Sequence, residues 1–208
     1  MTTGHKKLWW RRSRNYLLPA ESTWKWLVRT LLLTAMLAGS LGFTAEPVSK
    51  EYQLKAAFIY NFTKFVDWPA QRSGAKDSPF TIGVFGNNPF GDELNKLAQG
   101  RSVNGRPMII KNITSTNEAA SVDLLFVSSG QEELLGKLLV AIQGAGVLTI
   151  GESKAFADHG GIINFVTEAD KIRFEINLDE AERGGLKLRA QLLNLAKNVR
   201  RKTEPAKP

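Results

Sequence analysis

From Glu51 to Val66 the apolar positions Leu54, Phe58, Phe62 and Phe65 recur at i, i+4, i+8 and i+11, with Lys55 and Lys64 off that stripe; this spacing predicts an amphipathic helix. Pro69 ends it, because the residue before a proline is pushed out of the helical region, and Trp68 then falls just past the helix end. The polar stretch 70–79 reads as a loop. FTIGVFG (80–86), RPMIIKNI (106–113), VDLLFVSS (122–129) and VLTIGE (147–152) read as strands, and the continuous apolar run at 122–127 suits a strand covered on both faces. Between them, GNNPFGDELNKLAQG makes a turn and a brief helix that Gly100 closes. Gln131 to Gln143 places Leu134, Leu135, Leu138, Leu139 and Ile142 at helical spacing.

Strand and helix alternating at this rhythm predict an α/β fold, a layered sandwich with a largely parallel sheet. The last third changes character. GGIINFV (160–166), the turn TEAD and KIRFEIN (171–177) predict an antiparallel hairpin, in whose second arm Ile172, Phe174 and Ile176 alternate with Lys171, Arg173, Glu175 and Asn177. LKLRAQLLNLAKNV (186–199) predicts a closing helix with a wide apolar face.

Charge revises the amino-terminal reading. Of the formal +8, residues 1–29 carry +6, in Lys6, Lys7, Arg11, Arg12, Arg14, Lys25 and Arg29 against Glu21. Sixteen uncharged residues follow, apolar from Leu31 to Leu37 and then small. Basic, apolar and small regions in that order predict a signal peptide over residues 1–45, cleaved after Ser40 or Ala45, since a spanning helix needs about 20 apolar residues. Retention of the leader as an anchor is the alternative. Beyond it one domain is expected over 46–199, then a basic disordered tail over 200–208. The mature charge is nearly balanced and dispersed, which argues against nucleic acid as a partner.

Candidate chemistry is thin. There is no cysteine, so thiol catalysis, thiolate metal sites and disulfides are excluded, and stability must come from the core. Of the two histidines, His5 lies in the leader and His159 in the turn signature ADHGG, so no His-based metal cluster and no GxSxG triad is expected. Gly86 to Gly91 has the glycine spacing of a phosphate loop, but Asp92 and Glu93 follow where Lys and Ser or Thr are needed. No cofactor and no catalytic residue is assigned; a hydrolase built on carboxylates is the remaining enzymatic reading.

AAFIYNFTKFVDWP near the start of the mature chain, GGIINFV, and KIRFEINLDEAERGGLKLRAQLLNLA at the end together resemble the YfiR-like family of bacterial periplasmic proteins, over about residues 50–198. The resemblance implies a small α/β domain without enzymatic activity, acting as a periplasmic regulator. Its expected partner is the periplasmic sensor domain of a membrane-bound diguanylate cyclase, held inactive so that cyclic di-GMP and biofilm formation fall; other relatives accompany sensor histidine kinases or outer-membrane receptors. A homodimer is also open. Some members use disulfides for redox control, which this cysteine-free chain cannot.

The candidate contacts for a partner or ligand are Tyr60, which projects off the apolar stripe; Trp68, beyond the helix end and of a type enriched at hot spots; Asn164, which interrupts an apolar strand; and Arg173 and Glu175 on the wet hairpin face. The plain alternative is core packing for Trp68, a structural hydrogen bond for Asn164 and an ordinary solvated face for Arg173 and Glu175. A periplasmic small-molecule binding module is the rival function, with its site in the crevice at the carboxyl ends of the parallel strands near Gly86–Asn88 and Ser128–Gly130.

Overall fold

The computed structural model describes residues 49–72, 78–154 and 156–201. The expected leader lies outside the described residues, as does the tail beyond Arg201. In chain order the elements are α1 (Lys50–Phe62), β1 (Val66–Asp67), a single 3-10 turn (Ala70–Arg72), β2 (Phe80–Phe85), α2 (Glu93–Ala98), β3 (Ser102–Val103) and β4 (Arg106–Ile113). There follow α3 (Thr116–Ser121), β5 (Leu124–Val127), α4 (Glu132–Ala141), β6 (Leu148–Gly151), β7 (Ile163–Glu168), β8 (Lys171–Asn177), α5 (Leu178–Arg183), β9 (Lys187–Leu188), α6 (Ala190–Leu195) and β10 (Asn198–Arg200).

The main sheet has the order β10-β8-β7-β6-β5-β2-β4-β3. Its centre is parallel from β4 through β2, β5 and β6 to β7, as the run of buried strands predicts. β7 and β8 form the antiparallel hairpin, in register from Ile163 opposite Ile176 to Glu168 opposite Lys171. The two residues between them, Ala169 and Asp170, both have positive φ (46° and 58°), the backbone that lets a two-residue loop follow the right-handed twist of its strands.

Alternation along the strands divides the core between the two faces. In β5, Leu124 and Phe126 face α1, α2, α5 and α6, while Leu125 and Val127 face α3 and α4. The sheet is therefore a middle layer with helices on both sides. On the first face Phe62 lies against Phe174 and Phe165 at centroid distances of 4.9 and 5.9 Å; a fully buried Phe of this kind contributes about 1.5–3 kcal/mol.

At the amino ends of the parallel strands a buried ion pair closes the sheet. Arg106 donates from Nη1 and Nη2 to the two Asp123 oxygens, each at 2.9 Å. It also donates to the carbonyls of Ser78, Pro79 and Arg72, and Asp123 Oδ2 accepts from the Thr81 N–H at 2.8 Å. Arg72 extends the cluster by donating to the carbonyls of Ala120, Val122 and Ala145. The side chains tie the loop before β2 to the starts of β4, β5 and β6.

Two expectations are corrected. The buried face of α1 is Lys55, Ala56, Ile59 and Phe62, while Leu54 is 47% exposed and Phe58 half-buried. The helix is rotated from the aromatic stripe because Ala56 is small enough to approach the sheet and Lys55 turns inward to Glu152, just past the end of β6. The closing helix is also shorter than 186–199. Lys187–Leu188 pairs antiparallel with Val66–Asp67, and Asn198–Arg200 pairs parallel with β8, leaving only α6 between them and Leu195 63% exposed. Strand partners far away in sequence take both ends of a segment whose local pattern is helical.

Candidate functional site: a polar notch at the carboxyl edge of the sheet

The strands of the sheet do not end level. β6 stops at Gly151, opposite Asn164, whereas β7 runs on to Glu168. This leaves a notch beyond the end of β6, between the Ser129 turn and the projecting hairpin, with α1 along one side. Its volume is about 440 Å3, and its lining includes Tyr52, Lys55, Ser129, Glu152, Ser153 and Asn164.

The chemistry is concentrated in one buried ion pair. Lys55 is only 5% exposed, and its Nζ lies 2.6 Å from Glu152 Oε2 and 2.5 Å from Glu51 Oε1. Glu152, its side chain 6% exposed, accepts at Oε1 from the Tyr52 hydroxyl (3.2 Å) and the Ser129 N–H (3.1 Å). The contact joins α1 to the ends of β5 and β6 through side chains 97 residues apart in the chain. Burial by itself lowers the pKa of the Lys55 ammonium, but the hydrogen bonds to Glu152 and Glu51 outweigh it and hold the value above that of an ordinary lysine. Burial and then the Glu152 charge push the Tyr52 hydroxyl upward as well.

Two support contacts fix this arrangement. Tyr52 meets Phe90 edge-on at 5.5 Å, and Phe90 meets Phe126 of β5 at 4.7 Å, so the helix is set against the strand ends. Behind the notch, the Phe156 ring fills the space over Gly151 and Gly161: a Cβ on either glycine would lie 2.2 or 2.0 Å from that ring. The end of β6 is therefore shaped by a side chain that only glycine accommodates.

Of the residues singled out by sequence, Asn164 lines the notch and is 4% exposed. Arg173 lines the neighbouring groove of about 710 Å3 between the start of α1 and the hairpin, which shares Glu51 and Thr167 with the notch. Glu175 stands half-buried opposite Asn164 in the hairpin register. Tyr60 is half-buried with Lys64 and Arg101 over its ring at 4.3 and 4.5 Å. Trp68 lies at the other edge of the sheet, where Nε1 donates to the Asp123 carbonyl at 3.2 Å and the ring meets Phe80 edge-on at 5.0 Å. The structure thus brings only Asn164 to the notch, and Arg173 lies in the adjoining groove.

Of the crevice expected near Gly86–Asn88 and Ser128–Gly130, only Ser129 lines the notch; residues 86–88 are not in its lining, and the pattern along the chain does not point to Tyr52, Lys55 or Glu152 as a group. One signal was present: Glu152 directly follows the buried run of β6, where a carboxylate stands at the carboxyl end of a parallel strand. Asp67 of β1 and Arg189, beyond β9, pair at 2.7 Å on the surface, and this hydrogen bond holds the Asp67 carboxyl below the usual range. Among the described residues, no three His, Asp or Glu side chains are grouped to hold a metal ion, and no helix is long and apolar enough to cross a membrane.

Parallel strands covered by helices on both faces, with a polar notch at their carboxyl ends, define a layered α/β domain. Residues 52–197 match the YfiR/HmsC-like family, and the chain belongs to that family. The family is regulatory and periplasmic. No curated protein matches the chain. Similar solved structures include a conserved domain protein from Vibrio cholerae O1 biovar El Tor str. N16961, at 13% identity and a TM-score of 0.49. Another is the ABC domain from Streptococcus pneumonia in complex with L-Trp, at 17% identity and a TM-score of 0.46. In both, the match covers 72% of this chain and 60% of the other.

Proposed function

We propose that this chain is a periplasmic regulator that binds the periplasmic sensor domain of an inner-membrane diguanylate cyclase and holds the enzyme inactive, lowering cyclic di-GMP and biofilm formation. Family membership over residues 52–197, nearly the whole described domain, carries this reading. The mechanism is population shift: the regulator binds the inactive conformation of the sensor more tightly than the active one, since equal affinity for both would change nothing. Arg173 supports a role for the hairpin in docking. It is exposed, and among the described residues no carboxylate pairs with it, whereas Arg183, Arg189, Arg200 and Arg201 each have one.

The test is capture from solubilised membranes with the purified chain as bait, followed by cyclase assays on the captured enzyme. Recovery of a diguanylate cyclase whose product formation falls as the regulator is added supports the proposal. Recovery of a sensor kinase would move the same mechanism to another enzyme. Absence of any envelope signalling protein would defeat it.

A further inference from the structure

Buried polar atoms in folded proteins almost always have a hydrogen-bond partner, so each exception needs a reason. Among the described residues only two buried side-chain atoms have none, Ser153 Oγ and Asn164 Oδ1. Both residues line the notch beyond β6, although they come from different segments. The other polar groups there are tied together: Glu152 accepts from Tyr52, Ser129 and Lys55, and Lys55 places two of its three donors on carboxylates. The two residues that carry the orphaned atoms therefore meet in the wall of one cavity of about 440 Å3, at the strand ends where open α/β sheets hold their ligands.

We propose that this notch binds a small uncharged polyhydroxyl compound of the sugar kind. The chemistry of the lining selects that class. Lys55 and Lys154 balance Glu51 and Glu152, so the site offers no net charge to an ion. Asn164 Oδ1 only accepts and requires a donor, Ser153 Oγ takes either sense, and Lys55, with two donors on carboxylates, has a third N–H to give. Hydroxyl groups on adjacent carbons supply all three. Lys55 and Glu152 hold α1 to the sheet at the same point, so a ligand there bears on how the helix is seated. The site stands whether or not the chain regulates a cyclase.

Thermal unfolding of the purified full chain tests this, with millimolar glucose, mannose and N-acetylglucosamine as neutral probes and phosphate and acetate as charged ones. At least one neutral sugar should raise the midpoint saturably by roughly 2–6 °C. That shift should vanish in Asn164→Leu, weaken in Ser153→Ala and persist in Arg173→Ala, which lies outside the notch. Ser153→Ala carries the test alone if Asn164→Leu does not fold. The proposal is overturned if no neutral sugar shifts the midpoint, if the charged probes shift it instead, or if the shift survives in both notch variants. A crystal structure with only a bridging water on Asn164 Oδ1 at saturating sugar would overturn it equally.

Discussion

The two ends of the parallel sheet each carry a buried ion pair, and the pairs are built for different purposes. At the amino edge Arg106 meets Asp123 through two parallel hydrogen bonds, and its remaining donors go to backbone carbonyls. The Arg106–Asp123 network is closed, and its neighbours are the starts of strands. At the carboxyl edge Lys55 meets Glu152 beside a notch, with a second carboxylate, Glu51, 47% exposed and two polar atoms without partners nearby. A saturated polar network rigidifies a fold, whereas the unsaturated one here borders the cavity proposed as a site. The difference separates what holds this domain together from what it offers to other molecules.

The largest effect should follow removal of one partner at the amino edge. Arg106→Met strands the Asp123 carboxylate in the interior and is expected to cost about 3–5 kcal/mol, the range for breaking a buried pair. Urea unfolding followed by circular dichroism measures it. At the carboxyl edge Lys55→Met should cost less, about 1.5–3 kcal/mol, because Glu152 keeps Tyr52 and Ser129 and the notch admits water. Equal losses at the two edges would erase the distinction.

The fold was legible where local pattern and tertiary role agree. RPMIIKNI and KIRFEIN are strands with the limits their composition predicts, and the hairpin turn falls within TEAD. The two-residue strands β1 and β9 were not, since Val66–Asp67 and Lys187–Leu188 acquire their conformation by pairing across more than a hundred residues. Nor was α3, whose six residues, TNEAAS, carry no apolar period. The site was half legible. Asn164 stood out as a polar residue in an apolar strand, and the crevice could be placed from strand order. Lys55 looked like a solvated position because the aromatic stripe next to it suggested a different buried face.

Alkaline pH sharpens the comparison by a smaller amount. The folded pKa of Lys55 lies above its unfolded value, so its contribution is complete below about pH 10.4, the ordinary lysine value, and is lost as pH rises through the folded value. Tyr52 is raised too and acts with the same sign from its ordinary value of about 10. Urea midpoints between pH 8 and pH 11 should fall more steeply for the wild type than for a Tyr52→Phe, Lys55→Met double variant. Parallel curves would remove the notch from the alkaline response.

The smallest effect belongs to the surface pair Asp67–Arg189. Asp67 is depressed, so its contribution is present above the ordinary carboxylate value of about 3.9 and disappears as pH falls through the lower folded value. The pair is exposed and screened by salt, and Asp67→Asn should hardly move the urea midpoint at pH 7.

Isosteric neutralisation of the two buried carboxylates compares the edges most directly. Asp123→Asn leaves Arg106 with no carboxylate and weakens the acceptor of the Thr81 N–H, whereas Glu152→Gln leaves Lys55 with Glu51 beside a water-accessible notch. In urea unfolding at pH 7, Asp123→Asn should therefore lower the unfolding free energy at least twice as much as Glu152→Gln. Equal losses, or a larger loss for Glu152→Gln, would contradict the assignment of one edge to stability and the other to binding.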